Sequence, residues 1–169
     1  MELHPAALDD ELLASQCEQK FVRRSGPGGQ HRNKVSTGVV LKHLPTGIIA
    51  EASERRSQVE NRRVALRRLR EKLALGVRHP IGRIDAPPSP IWQHHLREGR
   101  IRIAPSHAEY PALIAEALDR LECNQWDPVP TARQLRTTPS QLIRLLRRFP
   151  PALALVNTHR RRTGLAPLR

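Results

Sequence analysis

Hydrophobic and polar positions divide the chain into segments of different period. Asp9 stands ahead of Leu12 and Leu13 with an acceptor side chain suited to a helix start, and Asp10 and Glu11 follow where the helix dipole favours acids. A short helix over residues 9–16 is expected. CEQKFVRR, residues 17–24, reads as a strand that ends at a glycine-rich segment. Residues 35–44 are β-branched and apolar, Pro45, Thr46 and Gly47 carry turn chemistry, and residues 48–52 turn apolar again, so the pattern predicts a β-hairpin. After Ser57 the period becomes helical. Ser57 and Glu60 have capping-box spacing, and Val59, Leu66, Leu69 and Leu73 share one face. Arg62, Arg63, Arg67, Arg70 and Lys72 fall on the wetter sides, and Gly76 can end the helix.

Periodicity fades over residues 79–110, where proline is frequent (DAPPSPIW), and a linker or extended connector anchored by Trp92 and Leu96 is expected. It returns at Pro111, well placed in a first helical turn, with Ile114, Ala117, Leu118 and Leu121 on one face. Residues 130–149 read as two short helices broken near Thr137 and Pro139. A last helix runs over residues 151–163 and stops at Gly164. The fold class is α+β: a small domain over residues 1–78 with a short N-terminal helix, an antiparallel sheet with a hairpin and one long packing helix, then a connector over 79–110, then a small all-α region over 111–169.

Charge adds a partner. The 169 residues carry 29 Lys and Arg against 16 Asp and Glu, a formal +13, and 25 of the 29 cations are Arg. Such an excess suits a polyanion, because each neutralised phosphate releases counterions, and the planar guanidinium suits RNA. Genomic base composition also enriches Arg, though it does not account for the net charge. Residues 1–20 are net −4, residues 21–83 net +11 and residues 84–169 net +6, so the basic character centres on the glycine-rich segment. Aromatic residues make up only 3%, too few for a base-stacking sheet. Two unspaced cysteines, no apolar run of about 20 residues and an acidic start point to a reducing cytoplasm and to no membrane.

The segment RRSGPGGQHRNK concentrates the chemistry. It lacks the spacing of a Walker loop and follows no βαβ unit, which argues against nucleotide binding. Gly26, Gly28 and Gly29 let backbone N–H groups approach another surface, Pro27 restrains the turn, and Gln30 is neutral, both donor and acceptor, with no titration useful to a general base. Taken alone, the segment suits a solvated basic loop touching phosphates as well as a tip that presents N–H groups to an oxyanion. The eight histidines show no metal-ligand spacing, and His94 and His95 would point apart in a strand, so no metal and no cofactor are expected.

The order of motifs narrows this. R-x-G-P-G-G-Q-H is followed by Asn33 and Lys34, then by H-L-P-T-G-I from His43, then by R-S-Q-x-x-N from Arg56. Over about residues 8–75 this resembles the GGQ domain of class I peptide chain release factors and their short relatives. The resemblance implies a domain that carries Gly28, Gly29 and Gln30 to the peptidyl transferase centre, where the ester between nascent peptide and P-site tRNA is hydrolysed. It implies that the Gln30 N–H stabilises the transition state or leaving oxygen, and that its side chain admits water and is a target for a glutamine methyltransferase. Ser25, Gly26, Pro27, His43, Pro45, Thr46 and Gly47 are then expected to position the loop. Arg23, Arg24, His31, Arg32, Asn33, Lys34, Arg55, Arg56 and Gln58 are expected to contact RNA of the large ribosomal subunit.

Two departures from the family pattern are Arg32, where a small aliphatic residue is usual, and the Val35-Ser36 pair. No segment resembles the stop-codon reader of the longer factors, so the chain looks like the codon-independent branch that rescues stalled ribosomes, acting as a monomer. The alternatives are partner-dependent release from split large subunits and a non-catalytic RNA- or DNA-binding module. Rescue factors of this kind use a basic tail, and the end NTHRRRTGLAPLR offers Arg160, Arg161 and Arg162. Residues 131–148 resemble a helix-turn-helix, against which stands a simple bundle burying Leu142, Leu145, Leu146, Phe149, Leu153 and Val156.

Overall fold

The computed structural model describes residues 3–23, 37–80 and 86–169. These form two compact units: one spans Pro5–Gly76, and the other joins the N-terminal residues up to His4 with Val77–Arg169. Helices and an antiparallel sheet coexist, so the α+β class holds.

In the first unit a single 3-10 turn, Pro5–Ala7, precedes helix α1, Asp10–Ser15, whose first turn is capped by Asp9 accepting from the Leu12 N–H at 2.8 Å. Strands β1 (Cys17–Val22), β2 (Gly38–His43) and β3 (Ile49–Ala52) form an antiparallel sheet in that order. Helix α2, Gln58–Gly76, covers it, burying Ala65, Leu66, Leu69, Leu73 and Ala74 against Val39, Leu41, Ala50 and Ala52. Each fully covered leucine contributes about 1.5–3 kcal/mol. On the wet side of α2, Lys72 donates to the Ile49 carbonyl (2.7 Å) and Arg68 to the Glu51 carbonyl (2.7 Å). These bonds occupy acceptors of edge strand β3 that would otherwise be open to pairing.

Two positions of α2 differ from the expected pattern. Val59 is exposed, because it lies in the first turn, ahead of the buried stripe that begins at Asn61. Arg70 is buried: its guanidinium donates to the Asp10 carboxylate and to the Leu8 carbonyl at 2.6 Å, so the N-terminal segment covers it.

In the second unit the proline-rich stretch is structured where a linker was expected. Ser89 caps helix α3, Pro90–His95, and a two-stranded hairpin follows, β4 (Leu96–Arg97) with β5 (Arg100–Ile101). The anchor is Trp92, which is fully buried and donates its indole N–H to the Leu135 carbonyl at 2.9 Å. Ser89 is held in turn by Glu116 of helix α4, Tyr110–Cys123. Proline had masked a helix because Pro90 occupies a first turn, where its missing N–H costs nothing. His94 and His95 therefore sit in a helix rather than a strand, with rings edge-to-face 5.0 Å apart.

Helices α5 (Pro128–Gln134), α6 (Pro139–Arg147) and α7 (Pro150–Arg162) complete the unit, with the expected break before Pro139. Leu142, Leu145, Leu146 and Val156 are buried; Phe149 and Leu153 are half-buried. His4 accompanies this unit by bonding the Val77 carbonyl (3.2 Å), and burial lowers its pKa to about 4.

Candidate functional site

The site is built outward from the register of β1 and β2. Their last pair is Val22 with Gly38, so the two ends of the connection over residues 23–37 are held side by side at one end of the sheet. Gly38 is required there by space: a Cβ would lie 2.8 Å from both the Val22 carbonyl oxygen and Val22 Cγ2. Arg24, Ser25, Gly26, Pro27, Gly28, Gly29, Gln30, His31, Arg32, Asn33 and Lys34, the core of the sequence-derived site, lie outside the described residues.

What the structure describes is the base from which they depart. Asn61, in the first turns of α2, is completely buried. Its Nδ2 donates to the Thr37 carbonyl (2.7 Å) and to the Arg55 carbonyl (2.9 Å), while its Oδ1 accepts from the Arg55 N–H (2.9 Å). One side chain thus joins the re-entry point of the connection, the chain before α2, and α2 itself. Arg55, Arg56 and Gln58 are exposed beside this clamp, and Arg23 is exposed at the end of β1. Sequence reasoning passed over Asn61 as a site residue, although its signal was present: 61, 65, 69 and 73 are one helical stripe, with one amide among apolar residues.

His43, Pro45, Thr46 and Gly47 lie elsewhere. They sit at the opposite end of β2, five residues and about 17 Å from Gly38. They organise the β2–β3 turn, not the base of the connection. His43 is buried, its Nδ1 bonded to Thr46 Oγ1 (2.8 Å) and its Nε2 to Gln16 Oε1 (3.0 Å), and burial lowers its pKa. The Gly47 N–H donates to the His43 carbonyl at 2.7 Å with Gly47 at φ +71°, a left-handed position that favours glycine.

The three C-terminal arginines belong to helix α7 rather than to a free tail. Arg160 is occupied internally, donating to the Trp126 carbonyl (2.5 Å) and the Ala166 carbonyl (2.7 Å). Gly164 (φ +75°) closes the helix with a Schellman motif, and Asn157 grips Leu168 through both its backbone groups, so residues 163–169 fold back on α7. Arg161 and Arg162 are exposed.

Among the described residues, one group brings metal-type ligand atoms within 4.8 Å of one another: His95, His107 and Glu109. These groups bond each other: Glu109 Oε2 lies 2.6 Å from His95 Nε2, and the Glu109 N–H donates to His107 Nδ1 at 3.2 Å. No helix of the described residues is long and apolar enough to cross a membrane.

Residues 8–80 match the family model of the RF-1 domain. The three-stranded sheet, the long covering helix and the sequence of the glycine-rich connection all fall within this match, so this part of the chain is similar to the RF-1 domain of peptide chain release factors. Among particular proteins, it is 46% identical over 70 residues to the mitochondrial translation release factor in rescue of Mus musculus, covering 41% of this chain and 37% of that protein. It is 36% identical over 99 residues to a mitochondrial peptide chain release factor-like protein of Saccharomyces cerevisiae, covering 58% and 61%. With peptide chain release factor 1 of Leuconostoc citreum it shares 51% over 55 residues, 32% and 15% of the two chains. In each case the match spans less than two thirds of the relative.

Proposed function

We propose that the chain is a codon-independent peptidyl-tRNA hydrolase that rescues stalled ribosomes. The observation that carries this reading is an intact G-P-G-G-Q sequence inside an RF-1 domain, on a connection whose two ends are fixed by the Val22–Gly38 pair and the Asn61 clamp. The name of the mouse relative, a release factor in rescue, supports the choice of substrate.

In this mechanism the sheet and α2 act as a rigid stem. Gly28 and Gly29 permit close approach to the ester, and the Gln30 N–H donates to the oxygen on which charge develops. One preorganised donor of this kind supplies about 3–4 kcal/mol. The Gln30 side chain admits water as nucleophile and serves a glutamine methyltransferase as substrate. Arg23, Arg24, Arg32, Lys34, Arg55 and Arg56, with His31, Asn33 and Gln58, hold the stem against large-subunit rRNA. Arg160 is removed from the RNA-binding set, since its guanidinium is engaged inside its own unit; Arg161 and Arg162 stay in it.

The test compares peptide release from whole ribosomes stalled without a stop codon with release from split large subunits carrying peptidyl-tRNA. Release from whole ribosomes supports the proposal. Release confined to split subunits assigns the chain to a partner-dependent step instead, and release from neither contradicts it.

A further inference from the structure

The β4–β5 hairpin of the second unit carries an arrangement of charge that the unit itself does not explain. Its tip, Glu98 and Gly99, has φ of +50° and +73°, the signature of a two-residue type I′ turn, which puts Arg97 directly opposite Arg100. Arg102 is two residues beyond Arg100 and shares its face. The other face is apolar: Ile101 and Ile103 pack at Leu145 of α6. Three exposed guanidinium groups therefore project from one face of a two-stranded ribbon, with neighbouring Cα atoms about 5–7 Å apart.

Like charges directly opposite one another destabilise a strand pair. Among the described residues none of the three is in an ion pair, whereas half-buried Arg78 and buried Arg120 of the same unit pair with Asp119 and Glu116. Glu98, at the tip, lines the same shallow depression as Arg97, Arg102, His94 and His95, and Glu109 is engaged by His95. The ribbon is also held rigid. Thr137 Oγ1 donates to the Gly99 carbonyl at 2.6 Å, fixing the tip to the α5–α6 turn, and Arg148 donates to the Ile103 carbonyl at 3.1 Å. A ribbon whose backbone is already held in this way has little backbone freedom left to lose when its arginines meet an anion.

We propose that Arg97, Arg100 and Arg102 form a second RNA-binding face, one that takes the phosphate backbone of helical RNA. Helical rather than single-stranded RNA is favoured by what surrounds the cluster. Trp92, Tyr110 and Trp126 are buried and Phe149 half-buried, so among the described residues this unit exposes no full Trp, Tyr or Phe face, and only the smaller imidazoles of His94 and His107 are open to a free base. RNA rather than DNA rests on the proposed ribosomal function. The face uses residues separate from those of the GGQ segment, so its failure and the failure of that function are read independently.

The experiment uses the full chain and measures its affinity for a short labelled RNA duplex as a function of salt. R97Q/R100Q/R102Q is compared with a charge-matched control, R63Q/R133Q/R169Q. The hairpin variant is expected to bind about tenfold to a hundredfold more weakly, with the slope of log K against log salt reduced by about 2–3. Its melting temperature should be equal to or above that of the parent, since a repulsion has been removed; a purely structural role would lower it. Unchanged affinity and slope, an equal loss in the control, or tighter binding to a DNA duplex of the same sequence would overturn the proposal.

Discussion

The Asn61 side chain donates a 2.7 Å hydrogen bond to the carbonyl of Thr37, the residue at which the chain re-enters the sheet after its glycine-rich connection. The same amide satisfies both backbone groups of Arg55. Removing it in Asn61→Ala leaves two carbonyls and one N–H without their partner in a buried site. The expected loss is about 2–4 kcal/mol, measured by urea unfolding. Asn61→Asp should be at least as damaging, because a buried carboxylate would face two carbonyl oxygens. A loss below about 0.5 kcal/mol in both would show that the clamp is dispensable.

Gly38 reports on the same base by a different route. Its added Cβ would meet the Val22 backbone as well as its side chain, and backbone cannot swing aside. Gly38→Ala should destabilise the first unit by about 1–3 kcal/mol and disturb the Val22–Gly38 pair, seen as faster amide exchange at the loop end of β1 and β2 than at the Cys17–His43 end. Uniform exchange along both strands would contradict the steric account.

Much of this was legible in the sequence. The Asp9 cap, the hairpin, the stripe of Leu66, Leu69 and Leu73, and the break before Pro139 all follow from local chemistry, and local chemistry is what a sequence displays. Arg70 was not legible, because the residues that cover it, Leu8 and Asp10, lie about sixty positions away. The hairpin at Glu98 and Gly99 was missed since two-residue strands are too short to show alternation. At the base of the connection the mechanical support was not readable: His43, grouped with the glycine-rich segment in the motif pattern, lies at the end of β2 away from Gly38, and the clamp fell to an asparagine inside a helix.

The two donors of Gln30 can be separated by substitution. Gln30→Ala retains the backbone N–H and loses only the side chain; Gln30→Pro deletes the N–H as well. If the N–H stabilises the reacting oxygen, proline should abolish peptide release while alanine leaves a measurable rate, with a difference on the order of a hundredfold or more in kcat. Equal losses would place the chemistry on the side chain.

Acid should loosen the attachment of His4 to its unit. Burial holds its folded-state pKa at about 4 against an ordinary 6.5, so the unfolded chain takes up the proton first. The stability that neutral His4 contributes is complete above pH 6.5 and is lost as the pH falls towards 4. Asp119 works in the opposite direction. Burial raises it to about 6 despite its 2.9 Å ion pair with Arg78, so its native form takes up a proton first and gains stability over much of the same range. The His4 contribution is therefore read as a difference. Between pH 7 and pH 5 the parent should lose more stability, or gain less, than His4→Phe; parallel curves would show that His4 is not buried as described.

The central claim is ester hydrolysis by the GGQ segment on ribosomes that present no stop codon. It is tested most directly by measuring release of labelled peptide from such ribosomes with the parent chain and with Gly29→Val, in parallel with ribosome binding by both. The account predicts release by the parent, none above background by Gly29→Val, and similar binding. Equal release by the two, or binding by the parent without release, would contradict it.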